Sequence, residues 1–208
     1  LLEEASDEGD EESAEDLGKI HKSGSNLLYL IDHILDYSRI EAGRMPVNPR
    51  AAVPSAEYLG WRDACAQLPI PVDLTWTASK DDNQALVTDW TALGAIVLNL
   101  AGSLPTDRGG ATGIDVKLLR GKGGAFTLDV TPLGGPAGTT AIDLNSEVFD
   151  TSQDISPTQY GTMGIESALA LKYIHLLRGR IRHGAKPDGS LRIAFPPIET
   201  EPSFEQAA

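Results

Sequence analysis

Between Glu15 and Met45 the chain reads EDLGKIHKSGSNLLYLIDHILDYSRIEAGRM, and apolar or small residues recur there at Ile20, Gly24, Leu27, Ile31, Ile34 and Ser38. Steps of four and three residues put all six on one side of an α-helix, as the a and d positions of a helical seam are. Leu17, Leu28, Leu30 and Leu35 widen the stripe, and Lys22, Asp32, Asp36 and Arg39 are expected on the opposite side. A lone helix cannot bury such a seam, so it must meet another helix. Periodicity alone leaves open whether that neighbour is a bundle helix or part of an ordinary core.

Charge narrows the classes of partner. The 208-residue chain has a formal net charge of −13, from 30 acids and 17 bases. Nine of those acids lie in residues 1–16, which contain no base, so the remaining 21 acids face 17 bases and net only −4. The acidity is therefore mainly a local, solvated stretch. It argues against nucleic acid, whose binding needs a basic footprint. Cys65 is the single cysteine, which excludes an intrachain disulfide and a thiolate zinc cluster and suits a reducing, cytoplasmic setting. No apolar run reaches membrane-spanning length and no signal peptide is evident, so no membrane contact is expected from this segment.

Turn and cap residues divide the chain. Residues 3–14 read as an acidic connection, with Ser13 as an N-cap and Asp16 three residues on. Gly43 is placed to cap the long helix at its C-terminus, with Arg44 beside its negative end. Pro46 and Pro49 stiffen a linker at which a domain boundary is expected. Beyond it the patterns predict a helix opening at Ser55, strands at Val72–Thr77 and Leu86–Thr88, and a strongly apolar helix from Asp89 to Leu104. Two strands follow, Gly113–Leu119 and Ala125–Thr131. Then come a glycine-rich loop, a helix over Ile165–Leu177, and a closing hairpin of Gly179–His183 and Ser190–Phe195. The polar tail, residues 199–208, is expected to be disordered. This order predicts an α+β chain whose mixed sheet is covered on one face by helices.

Several of these stretches resemble one family. Ile34-Leu35-Asp36-Tyr37-Ser38-Arg39-Ile40-Glu41-Ala42-Gly43-Arg44-Met45 resembles the exit of the second helix in the dimerisation and phosphotransfer domain of sensor histidine kinases. Asp89-Trp90 through Asn99-Leu100 resembles the approach to that family's N box. Gly161-Thr162-Met163-Gly164 and the run Leu169–Ile174 resemble its second glycine box and the helix behind it. Gly179-Arg180-Ile181 and Phe195-Pro196 resemble its last hairpin. The resemblance covers residues 1 to about 197 and implies two parts. Residues 1–45 would be a helical hairpin that pairs into a dimeric four-helix bundle. Residues 46–198 would be an α/β sandwich of the histidine-kinase ATPase type. Ile20, Leu27, Ile31 and Ile34 would then line the dimer interface.

The same resemblance implies a nucleotide site whose ligands are largely lost. The family holds magnesium with two asparagines four residues apart on the N-box helix; here Asn99 fills the first position and Ser103 the second. An aspartate that accepts from the adenine amino group is replaced by Pro132, and Asp129, three residues earlier on an alternating strand, would face the other way. Gly134, Gly161 and Gly164 keep part of the phosphate cradle, but Glu166 stands where another glycine is expected. A carboxylate about 5 Å from a phosphate costs roughly 3 kcal/mol at an effective dielectric of about 20. The missing adenine bond adds roughly 1–3 kcal/mol. Together they weaken binding by about three to four powers of ten.

Other constellations are weaker. His21 and His33 lie about 120° apart on the long helix and are expected at the surface; His175 and His183 belong to no triad. Trp61, Trp76 and Trp90 sit on different elements and are expected in the core or at its edge. The resulting expectation is a two-component signalling module with a degenerate nucleotide site, a dimeric scaffold or relay. Its partners would be a second copy of the chain, a response-regulator receiver domain, a sensor kinase, or an attached sensor or output domain. No cofactor is expected, with ATP and magnesium required only if the degenerate site still works. The alternative is a phosphotransfer-competent kinase or histidine phosphotransferase whose phosphoacceptor histidine lies upstream of Leu1.

Overall fold

The computed structural model describes residues 11–68, 70–77, 79, 83–104, 111–134, 165–183 and 190–198, with residues 11–14 and 183 as backbone only. Helix α1 spans Glu11–Glu41. It ends where Gly43 adopts φ 64°. The Gly43 N–H donates to Ile40 O at 2.9 Å and the Arg44 N–H to Arg39 O at 2.8 Å, the paired bonds of a glycine-terminated helix. The glycine expected to cap this helix does so.

After it come β1 (Arg50–Ala52), α2 (Pro54–Cys65), β2 (Asp73–Trp76), β3 (Leu86–Thr88) and α3 (Trp90–Gly102). Then follow β4 (Gly113–Arg120), a 3-10 turn at Lys122–Gly124, β5 (Phe126–Leu133), α4 (Ile165–Leu176), β6 (Arg180–His183) and β7 (Leu191–Phe195). Strands β2, β4, β5, β7 and β6 form a five-stranded sheet in that order. Only β2 and β4 run parallel in it; the other pairings are antiparallel. A separate two-stranded ladder joins β1 to β3.

The sheet is one-sided. Along β5 Phe126, Leu128, Val130 and Pro132 are buried while the residues between them are half-exposed. Ile114, Val116 and Leu118 of β4 and Ile193 of β7 are fully buried beside them. On the open face, cross-strand pairs hold the ladder. Arg192 grips Asp129 through two bonds of 2.7 and 2.6 Å, and Asp115 accepts from Thr75 at 2.9 Å and Thr77 at 2.7 Å. Asp129 thus faces away from the covered side, as strand alternation requires.

Helices α2, α3 and α4 cover the other face, with α3 packed between its two neighbours. Leu93, Ile96, Val97 and Leu100 of α3 have no exposed surface. Asp89 caps this helix by accepting from the Ala92 N–H at 2.9 Å, and its second oxygen accepts from the Asn48 N–H at 2.7 Å. The stiff segment after α1 is therefore tied to the start of α3.

The three tryptophans meet although they come from three elements. Trp61 lies 6.2 Å from Trp76 and 6.1 Å from Trp90 between ring centroids. Gly94 makes room for them, since a Cβ there would stand 2.4 Å from Trp61 Nε1. This is core packing, as expected.

Two local readings are corrected. Helix α1 already exists at Glu11, so Ser13 lies inside it and does not cap it. Strand β1, which lies between the expected linker and the expected helix and was assigned to neither, forms because β3 offers it a pairing edge and Trp90 Nε1 donates to Arg50 O at 3.1 Å. The expectations for residues 1–10, the glycine-rich loop and residues 199–208 lie outside the described residues.

Candidate functional site

The site begins on α3. Asn99 is 4% exposed. Its Nδ2 donates to Ala95 O at 2.8 Å, and its Oδ1 has no hydrogen-bond partner among the described residues. Ser103 stands one turn further, at the C-terminal cap, where its Oγ donates back to Leu100 O at 2.8 Å. The two positions expected to hold magnesium thus follow one another along α3, but one hydroxyl proton is used within the helix.

Strand β5 carries two more of the positions expected in a nucleotide site. Pro132 is buried on the covered side and pairs in register with Ile114. Gly134 ends the strand at φ 78°, and a Cβ there would stand 2.7 Å from Thr112 Oγ1, so conformation and space both require glycine. Gly161 and Gly164 lie outside the described residues. Glu166 opens α4 and approaches α3: a Cβ on Gly102 would stand 3.3 Å from both Glu166 Cγ and Tyr29 Oη.

Tyr29 belongs to α1, and its arrival is what sequence reasoning missed. Tyr29, His33, Asp36, Tyr37 and Ile40 form the half-buried side of α1, which packs against α4. The Tyr173 hydroxyl donates to Asp36 Oδ2 at 2.8 Å, Lys172 pairs with Glu41, and Lys172 Nζ sits 5.1 Å from the centre of the Tyr37 ring. His33 was expected at the surface, and Asp36 on the side opposite the seam, with no partner foreseen for either. Both instead lie on this docked side, because their spacing of 29, 33, 36 and 40 is itself a helical stripe of four, three and four. The stripe mixes aromatic and polar residues, so it carries little apolar signal.

The seam, in contrast, stays bare. Ile20 is 68% exposed, Leu27 59%, Ile31 42% and Ile34 55%, and Leu28, Leu30 and Leu35 are also exposed. At 100° per residue this face is centred about 160° from the docked one. Helix α1 therefore has two working sides, one used within the chain and one unpartnered within it.

Between α1 and the body lies a cavity of about 300 Å³. Asn99 and His33 both line it, with Tyr29, Asp36 and Tyr173 around them and Leu98 and Leu169 among its apolar walls. His33 Nδ1, like Asn99 Oδ1, is buried without a hydrogen-bond partner among the described residues. Tyr29 meets the His33 ring edge-on at 3.9 Å between centroids. Burial pushes the His33 imidazole below its ordinary pKa, against the opposing pull of Glu166, Asp36 and Asp32. Burial likewise pushes the Tyr29 and Tyr173 hydroxyls up, assisted by Glu166 and Asp36 respectively. The site thus offers neutral acceptors and carboxylates. The described residues contain no cluster of three or more His, Cys, Asp or Glu placed to hold a metal ion.

Comparison with known proteins is decided by shape. No family model matches the chain, and no curated protein matches it in sequence. Among solved structures, the Acinetobacter baumannii histidine kinase AdeS superposes with a TM-score of 0.57 over 86% of this chain and 82% of its own, at 12% identity. The chain has the histidine-kinase fold. A second structure, full-length ShkA in complex with AMPPNP, superposes with a TM-score of 0.51 over 88% of this chain at 18% identity, and this chain spans 38% of its length. No described helix is long and apolar enough to cross a membrane.

Proposed function

We propose that the chain is a two-component signalling module that has kept the histidine-kinase frame and lost effective nucleotide binding, acting as a dimeric scaffold or signal relay. The observation that carries this reading is the state of the three ligand positions on α3 and β5. Asn99 is 4% exposed with its Oδ1 buried, Ser103 replaces a second carboxamide one turn on, and Pro132 offers no side-chain acceptor. Such a set is a poor fit for magnesium and adenine: the carboxamide oxygen is buried, a neutral hydroxyl is a weaker ligand than a carboxamide, and nothing at position 132 accepts from an adenine amino group. The bare seam supports assembly into a bundle with a second copy through Ile20, Leu27, Ile31 and Ile34. A receiver domain, a sensor kinase, or an attached sensor or output domain would then read the paired body.

Isothermal titration with Mg-ATP tests the nucleotide reading. No heat of binding in the micromolar range is expected, and micromolar affinity would overturn it.

A second reading has its own support. ShkA holds AMPPNP on a related frame, and the exposed seam serves a phosphotransfer bundle as well as a scaffold. In that reading a histidine upstream of Leu1 is phosphorylated and the body positions the partner. Phosphate transfer to a receiver domain by a chain extended upstream would separate relay from scaffold.

A further inference from the structure

We propose that the free edge of β6 takes an extended acidic peptide segment of a partner protein, added as a further strand of the five-stranded sheet. The strand order is β2, β4, β5, β7, β6, so among the described residues β6 has a neighbouring strand on one side only. In an antiparallel strand alternate residues aim both N–H and C=O away from that neighbour. They leave donors and acceptors open to a strand in the next place. β6 shares no residue with the nucleotide positions or with the seam of α1, so the proposal stands apart from both.

Side chains choose the occupant. Ile181 packs against the core. Arg180 and Arg182, on either side of it, are exposed and share the open face of the sheet. Register sets Arg182 opposite Arg192 and Arg192 opposite Asp129. Arg192 grips Asp129 through two bonds, so that carboxylate is used one strand inward. Like charges directly opposite one another weaken a ladder, and the Arg182–Arg192 pair leaves the edge short of a carboxylate. Neither Arg180 nor Arg182 has an ion pair with a described residue. β6 and β7 contain no acid, and exposed Arg178 adds a third base two residues before β6.

A second β6 would set arginine against arginine. The residues that bar self-pairing therefore admit a strand with Asp or Glu at alternate positions. Charge also separates such a strand from longer polyanions. Four residues span only about 13 Å, and the chain around them has a net charge of −13. A nucleic acid or an anionic membrane would extend past the basic edge into that field.

The test titrates the whole chain into a fluorescently labelled short peptide of alternating glutamate and threonine, read by anisotropy, with hydrogen exchange measured on the mixture. Saturable binding below about 1 mM in 50 mM salt is expected, weakening as salt rises to 500 mM. Exchange should slow in residues 180–183. The double variant Arg180→Glu, Arg182→Glu changes two exposed positions and should weaken binding about tenfold, for two lost opposite-charge pairs. It should bind instead the peptide in which lysine replaces glutamate. No saturable binding, equal affinity of the parent chain for the lysine peptide, undiminished binding by the variant, or unchanged exchange in β6 would overturn the proposal. Tighter binding of a single-stranded oligonucleotide or an anionic vesicle would overturn it too. So would tighter binding of a peptide copying residues 1–16, which would assign the edge to a second copy of the chain.

Discussion

The Tyr173 hydroxyl of α4 reaches across to α1 and donates a 2.8 Å hydrogen bond to Asp36 Oδ2. Asp36 also accepts from Arg39 at 3.4 Å on its own helix. The bond joins residues 137 positions apart, and the Lys172–Glu41 pair ties the same two helices.

Tyr173→Phe removes that tie without leaving a cavity. Arg39 remains beside the carboxylate, so the expected loss is about 1 kcal/mol in a denaturant titration, within the range of a hydrogen bond to a charged group near solvent. Hydrogen exchange should rise in residues 29–41 more than in α3. Unchanged exchange there would show that Tyr173 does not hold the helix.

Ile31→Asp tests the other side of α1. A charge on the bare seam should break a bundle, giving half the mass in light scattering. The docked side should keep its exchange protection, because the two faces lie about 160° apart. An unchanged mass would remove the seam from the assembly.

Acid should loosen the joint through His33. Its folded pKa lies below the ordinary 6.5 because of burial, so the unfolded chain binds the proton more readily. The contribution is therefore complete above about pH 6.5 and is lost as the pH falls below it, until the folded ring also protonates. Tyr29, Asp32, Asp36, Glu166 and Tyr173 are the titratable groups around it. Stability measured from pH 8 to pH 5 should fall less steeply in His33→Gln than in the parent, and parallel curves would sink the assignment.

Gly94→Ala tests the tryptophan cluster. The new methyl would meet Trp61 Nε1 at 2.4 Å, and the ring has Trp76 and Trp90 on its other sides. The expected cost is about 1–3 kcal/mol, the range for overpacking a filled core. Tryptophan fluorescence should shift with it.

How much of this was written in the sequence differs by element. The strands and helices of the body were legible because alternation in β5 and the apolar stripe of α3 each answer to one buried face. Gly43 was legible as a cap because few residues serve at a positive φ. Strand β1 was not, since Arg50–Ala52 has no alternation of its own and exists through its partner β3. The docked side of α1 was hidden for a different reason. A helix with one leucine-rich face and one mixed aromatic and polar face shows only the greasier to a hydropathy pattern, and the seam masked Tyr29, His33 and Asp36. Within the nucleotide remnant, the replacements Ser103 and Pro132 could be read residue by residue. The place of Asn99 beside a cavity under another helix could not, because it depends on where α1 lies.

A 31-residue helix is about 46 Å long at 1.5 Å per residue. Held by the body along one flank and by a bundle along the other, α1 would work as a crankshaft. Turning it in its bearing by a fraction of a helical step would swing the whole body around the bundle axis. Signal transmission in such an assembly would need no chemistry at the crank itself, only a change in how two shafts lie against each other.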